Sequence, residues 1–198
     1  RRIRKKYSSG IVILNNNDKE YVQKNICPNV IVIPHASFGY YSGERDVINN
    51  EICKNTIGFI GRIEPYKGLD VLLEAYRLIK HKGIKLLIAG NGSIQDDLLA
   101  QIKSDKGIIL INRYIEDEEF STILDKVDCV VLPYKRAAQS GVIPMAFAYG
   151  KAVIATNVGA LSEQVPDGTG LIANPTAKEI AYSIEELYQN DNYVLYGK

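Results

Sequence analysis

Apolar residues in this chain fall in short unbroken runs separated by longer amphipathic segments. The runs lie at residues 11–14, 30–33, 56–60, 85–89, 108–111, 129–132, 152–155 and 170–173. Continuous rather than alternating hydrophobicity marks strands buried on both faces, as in a parallel sheet covered by helices. The intervening segments carry helical signals. Over 69–82, Leu72, Tyr76 and Ile79 share one stripe, and Gly83 supplies a stop. Over 93–103, Asp96 and Asp97 sit near the start and Lys103 near the end, as the helix dipole prefers. Residues 116–126 begin acidic and present Phe120, Ile123 and Leu124, with Val127 just beyond. Segments 140–149 and 177–188 complete the set. A strand-then-helix repeat with short connections predicts an α/β fold, a doubly wound parallel sheet of Rossmann-like type. Ligands in such sheets bind outside the carboxyl ends of the strands, where strand order reverses.

The pattern breaks at 35–54, which is rich in Gly, Ser and Tyr around Phe38-Gly39-Tyr40-Tyr41 and then carries Asn49-Asn50. This reads as a linker between a strand–helix–strand unit within 1–34 and a larger domain over 55–198. Composition narrows the class further. With 46% hydrophobic and 24% charged residues, the chain is an ordinary globular sequence. A net charge of +1 gives no global drive toward nucleic acid. No apolar run approaches the roughly 20 residues that span a bilayer. The basic start, Arg1-Arg2-Ile3-Arg4-Lys5-Lys6, is not followed by an apolar segment of signal-peptide type. It reads as a solvated terminus or as a patch for peripheral contact with a membrane surface. Three widely spaced cysteines, Cys27, Cys53 and Cys129, argue against a disulfide framework and fit a cytoplasmic setting. No Cys/His spacing suggests a metal.

The chemistry concentrates on loops at strand ends. Gly61-Arg62-Ile63-Glu64-Pro65-Tyr66-Lys67-Gly68 puts two cations on a glycine-bounded loop between a strand and a helix. Cations beside helix-start N–H groups make an anion site, most often for phosphate. Gln139-Ser140-Gly141-Val142 opens another helix, with Ser140 as an N-cap and the Gly141 and Val142 N–H groups free in the first turn. Gly90-Asn91-Gly92 makes a third such loop, which a plain left-handed turn explains equally well. Tyr114, followed by Ile115, either stacks on a base or covers the sheet edge. Glu163 starts a short helix, where a carboxylate suits the N-terminus or takes a sugar hydroxyl.

Taken in order, Gly61-Arg62…Lys67-Gly68, Leu87-Ile88-Ala89-Gly90-Asn91-Gly92, Asp128 to Tyr134, Gln139-Ser140-Gly141-Val142, Gly150 to Thr156, Asn157 to Glu163 and Gly168-Thr169-Gly170-Leu171 resemble one family. It is the C-terminal, donor-binding half of retaining, glycogen-synthase-like (family 4) glycosyltransferases of two-domain GT-B fold. The resemblance implies hexosyl transfer from a nucleoside-diphosphate sugar to a glycan, lipid or other acceptor. Arg62 and Lys67 would hold the diphosphate in the catalytic step. Gly61, Gly90, Asn91, Gly92, Tyr114, Ile115, Gln139, Ser140, Gly141, Val142 and Glu163 would line the donor site. No metal or other cofactor is implied. The partners implied are the nucleotide-sugar donor and an N-terminal acceptor domain, of which 1–34 would be the remnant. Many relatives carry two glutamates near the Gln139 helix; Ala137 and Met145 stand in those places. A subset with a Q-S-G-V motif lacks that pair too. The alternative is a non-catalytic nucleotide-sugar-binding partner subunit, with a nucleotide-sugar epimerase a weaker third reading.

Overall fold

The computed structural model describes residues 9–35, 55–189 and 192–196. Its main body is a six-stranded, all-parallel sheet in the order β5-β4-β3-β6-β7-β8. The strands are β3 (Thr56–Ile60), β4 (Lys85–Ala89), β5 (Ile108–Ile111), β6 (Cys129–Leu132), β7 (Ala152–Thr156) and β8 (Gly170–Ala173). β3 pairs directly with β4, Ile57 opposite Leu86, and with β6, Ile57 opposite Cys129. Strand order therefore reverses between β3 and β6, and the sheet is doubly wound.

Both faces are covered, which is why the strands read as unbroken apolar runs. On one face Ile57, Phe59, Leu86, Ile88, Val131 and Ile154 pack under three helices, α2 (Leu69–Ile79), α3 (Asp96–Ser104) and α6 (Ala177–Tyr188). On the other, Ile60, Leu87, Val130, Leu132 and Val153 meet α4 (Glu119–Asp125) and α5 (Val142–Ala148). Neighbouring residues on one strand thus serve opposite cores. α2 buries Leu69, Leu72, Leu73, Tyr76 and Ile79, then tightens into a 3₁₀ turn at Lys80–Lys82 that Gly83 ends at φ +77°. α6 starts where Thr176 Oγ1 accepts from the Glu179 N–H at 3.3 Å, a cap worth about 1 kcal/mol. A last short helix, α7 (Asn192–Tyr196), lays Tyr193 and Tyr196 against the first core.

At the amino end of the sheet, Asp128 Oδ2 accepts from both the Thr56 N–H and the Tyr188 hydroxyl, each at 2.9 Å. Burial first, then the neighbouring Cys129 and the Asp128 carboxylate, push the Tyr188 hydroxyl's pKa far up.

Residues 9–35 form a separate piece: β1 (Ile11–Ile13), α1 (Lys19–Asn25) and β2 (Val30–Val32), with the strands parallel. One side of this small sheet stays bare, with Val12 and Ile31 55% and 63% exposed. The linker expected at 35–54 and the basic residues Arg1–Lys6 lie outside the described residues, apart from His35. Cys27 and Cys129 are buried free thiols; Cys53 lies outside the described residues. Among the described residues, no helix is long and apolar enough to cross a membrane.

Three helices begin later than the sequence pattern suggests. α3 starts at Asp96 rather than Ser93, α4 at Glu119 rather than Glu116, and α5 at Val142 rather than Ser140. Asp117 and Glu118 form a turn before α4 and Gly141 lies in one before α5, while the residues before α3 run extended at Gln95. Gly90 shows how tightly the loops pack. It has φ +148°, and a Cβ there would lie 2.0 Å from the Gly61 carbonyl oxygen. Gly83, at φ +77°, has nothing within 4 Å of that position. Gly90→Ala should cost about 2–4 kcal/mol in a urea titration, since it adds a backbone clash to backbone strain. Gly83→Ala should cost only about 1–2 kcal/mol, the left-handed penalty alone. Equal losses would show that the close approach of the two loops contributes nothing.

Candidate functional site

The reversal of strand order opens a cleft of about 690 Å³ at the carboxyl ends of β3 and β6, within the range that takes a small-molecule ligand. One wall is the loop after β3, with Gly61, Arg62, Tyr66 and Lys67. The other is the loop after β6 and the start of α5, residues 137–142, with Met145. Asp117 and Phe120, from the entry to α4, line it as well.

Local folding fixes the first wall. Glu64 is extended, Pro65 opens a one-turn 3₁₀ helix through Lys67, and Gly68 closes it at φ +70°. The Lys67 N–H bonds back to the Glu64 carbonyl at 2.9 Å. Across the cleft floor, the Lys135 N–H donates to the Tyr66 carbonyl at 2.7 Å, joining the two walls. Tyr134 is buried at this junction. Its ring meets Tyr66 edge-on at 6.3 Å, and the Lys67 ammonium sits 5.2 Å from its centroid, a cation–π distance. Burial pushes its hydroxyl's pKa up to about 12, against a 3.4 Å contact with Ser140 Oγ that lowers it.

The cations differ in setting. The Arg62 side chain is 71% exposed and reaches Glu64 only at 4.0 Å, a loose pair. Lys67 is half-buried, and its ammonium titrates below the ordinary 10.5. Burial is the main cause, the Arg62 guanidinium adds to it, and Glu64 opposes it. The site therefore holds two like charges, one desolvated, and a bound anion would favour both.

On the second wall the helix start needs a correction. The N–H of Val142 is not free: it donates to Ser140 Oγ at 3.3 Å, so Ser140 caps from outside the first turn. The Gly141 N–H has no partner among the described residues. Gln139 places a buried side-chain oxygen, Oε1, that also lacks a partner there. Gln164 grips the Ser140 backbone from behind: Oε1 accepts from its N–H at 2.8 Å and Nε2 donates to its carbonyl at 3.0 Å.

Of the residues singled out from sequence, the cleft gathers Gly61, Arg62, Lys67, Gln139, Ser140, Gly141 and Val142. The others lie elsewhere. Gly90, Asn91 and Gly92 pair with the loop beneath it: the Ile63 N–H donates to the Asn91 carbonyl at 2.8 Å, and Gly92 bridges Ile63. Tyr114 is 61% exposed outside the cleft lining, and Ile115 is buried in the second core. Glu163 accepts from the Asn16 and Asn17 N–H groups at 2.7 and 2.9 Å. Next to Tyr114, Arg113 and Glu119 form a two-pronged ion pair, which holds the Glu119 carboxyl down at about 2.

Five lining residues were not singled out: Tyr66, Asp117, Phe120, Tyr134 and Ala138. The two tyrosines had a signal, since one lies inside the basic loop and the other follows Pro133 at a strand end. Asp117 and Phe120 had none beyond the acidic start of their helix. Ala137 and Met145, the residues standing where many relatives have glutamates, both line the cleft. Among the described residues, Asp117 is the one acidic side chain lining it.

Comparison with known proteins places this geometry in a family. A Mycobacterium tuberculosis glycogen synthase is 32% identical over 123 residues, covering 59% of this chain and 30% of its own. A glycosyltransferase from Rickettsia africae superposes with a TM-score of 0.81 at 20% identity, over 99% of this chain and 60% of that one. The Anabaena protein Alr3699/HepE, solved with UDP and glucose, gives 0.77 at 16% identity over 100% and 58%. At such identities the structural likeness speaks for the fold. The chain spans 31% to 51% of the length of the first curated relatives it matches. The family model for group 1 glycosyl transferases matches residues 54–190, most of the chain, and the chain belongs to that family.

Proposed function

We propose that this chain is the donor-binding part of a retaining glycosyltransferase, which moves a hexosyl group from a nucleoside-diphosphate sugar to a glycan, lipid or other acceptor. One observation carries the reading. Arg62, Lys67 and the open Gly141 N–H line a single cleft at the switch point of a group 1 glycosyltransferase domain. Cleaving the sugar–phosphate bond leaves negative charge on the departing diphosphate. Fixed cations and an N–H aimed at that charge stabilise the transition state without moving. The step is written as a front-face exchange, in which the leaving phosphate itself assists the acceptor. The C1–phosphate bond breaks, the C1–acceptor bond forms on the same face, and the acceptor's proton passes to the leaving phosphate oxygen.

Arg62 and Lys67 supply the charge, so the proposal needs no metal. Binding should therefore be the same with and without a chelator. The acceptor would be held by a facing domain, of which residues 1–34 would be a part. The isolated chain is accordingly expected to bind donor and not to transfer sugar. The second reading, a binding subunit without turnover, draws on Ala137 and Met145, whose side chains leave the cleft with Asp117 and Gln139 as hydroxyl partners. Turnover by the whole protein with any sugar nucleotide would rule it out.

Charged hydrogen bonds contribute on the order of 1.5–3 kcal/mol. Arg62→Ala or Lys67→Ala should then weaken UDP or GDP binding roughly 10- to 100-fold, at 1.4 kcal/mol per decade. Uridine and guanosine should bind all forms about equally in calorimetric titration. Unchanged diphosphate affinity in both variants would remove the clamp.

The lowered pKa of Lys67 adds a pH signature with two opposite signs. Diphosphate favours the ammonium, so affinity should fall as pH rises through the lowered value, and Lys67→Ala should flatten that fall. The free protein should instead gain stability between the lowered value and 10.5. In that window the unfolded chain binds more protons than the folded one. Paired titration and urea curves from pH 7 to 10.5 check both signs.

A further inference from the structure

The contact between Glu163 and the 9–35 unit reaches the cleft through a continuous set of hydrogen bonds. Asn15 and Asp18 make a reciprocal pair: Asn15 Nδ2 donates to Asp18 Oδ2 at 3.1 Å, and the Asp18 N–H donates to Asn15 Oδ1 at 2.9 Å. That pair shapes the turn before α1 so that the N–H groups of Asn16 and Asn17 both point outward. Successive N–H groups arranged this way form a concavity for an anion. Here the occupant is internal, the Glu163 carboxylate, with one N–H on each oxygen at 2.7 and 2.9 Å. Asn17 Nδ2 adds a bond to the Gly159 carbonyl at 3.1 Å.

The loop that receives this turn, 157–164, is the same loop that braces the cleft wall. The Ala160 N–H donates to the Ala138 carbonyl at 3.2 Å. Gly159 backs directly onto Ala137, whose carbonyl oxygen would stand 1.6 Å from any Cβ placed there. Gln164, next in sequence to Glu163, holds both backbone polar groups of Ser140. Glu163 and Gln164 lie together in one 3₁₀ turn. They face opposite ways, one toward the 9–35 unit and one toward the cleft.

From this we infer that Glu163 is a positioning residue: its carboxylate latches the Asn16–Asn17 turn to the 157–164 loop, and through Gln164 that latch sets the cleft wall at 137–141. The inference deepens the proposed reading of the cleft and rests on it only for what the cleft binds. It assigns Glu163 a structural role distinct from the sugar or ribose contact expected from sequence, with one N–H already on each carboxylate oxygen. Charge-assisted bonds to a carboxylate are about twice as strong as neutral ones, so the latch depends on the charge and not merely on the shape of the side chain. Because the latch joins residues 146 and 147 positions apart in sequence, placement of the 9–35 unit and occupancy of the cleft become reciprocally linked.

Amide hydrogen exchange on the full chain, without ligand and then with UDP or GDP, tests this. Glu163→Gln should speed exchange at Asn16 and Asn17 about tenfold or more, and should speed 138–141 as well, read at the Ser140 amide that Gln164 holds. Glu163→Asp, which keeps the charge, should restore most of the protection at both places. Gln164→Leu should free 138–141 while Asn16 and Asn17 stay protected. Exchange elsewhere in the sheet should be unchanged, which separates the effect from global unfolding. If Glu163→Gln releases only Asn16 and Asn17 and leaves 138–141 at wild-type rates, Glu163 is a local tie and the inference falls. If UDP and GDP leave 138–141 untouched in the wild type, the donor reading fails instead, and the latch is still judged on the ligand-free rates.

Discussion

The adjacency of β3 and β6 is the constraint on which the rest depends. Right-handed crossovers carry the chain from β3 outward through β4 to β5, and then from β6 outward through β7 to β8. The loops leaving the two central strands must therefore part, and the gap between them is the cleft. Every other neighbouring pair is joined directly in sequence, β3–β4, β4–β5 and β6–β7 through a helix and β7–β8 through the 157–169 loop, so its connection runs from one strand to the next instead of parting. The 2.7 Å bond from Lys135 to Tyr66 sets how far the gap opens. It fixes the loop that carries the cations against the loop that carries Gly141.

That tie has an electrostatic counterpart. Arg62 and Lys67 repel each other, and Lys67 has lost part of its water. The fold tolerates this because the Tyr134 ring offers its negative face to the ammonium and Glu64 lends partial compensation. Tyr134 is in turn immobilised by burial, by Tyr66 and by Ser140. A cation held short of full neutralisation on a rigid ring is pre-organised for an anionic ligand: Lys67, unlike the exposed Arg62, does not have to be ordered when the ligand arrives.

The architecture was legible because double-sided burial leaves an unmistakable trace. Runs such as 56–60 and 129–132 have no polar face to hide. The α6 bounds, Ala177–Tyr188, could be read from the pattern because Thr176 caps the helix on the Glu179 N–H and Pro175 just ahead of it keeps the preceding residue out of the helix. Helix starts at Ser93, Glu116 and Ser140 could not, since Ser, Asp and Glu favour a turn and a first helical turn almost equally. The same local limit applies to the site. Arg62 and Lys67 announce themselves within eight residues. The glycines at 90 and 92 look like phosphate-loop glycines, yet they serve contact with Gly61 and Ile63, which only the folded backbone reveals. Glu163 could be read as a carboxylate at a helix start, but its partners, Asn16 and Asn17, lie near the other end of the chain.

The central place of β3 also shapes how the chain reaches this structure. β3 finds its first partner, β4, about thirty residues downstream, with Thr56 opposite Lys85. Its second flank waits for β6, where Ile57 meets Cys129. A chain emerging from a ribosome would thus carry a bare, largely apolar strand edge until β6 is made. Parallel pairings between distant segments form slowly and leave such edges open to misassembly. Of the strands that end up paired on both sides, the one at the heart of the finished sheet waits longest for its second neighbour.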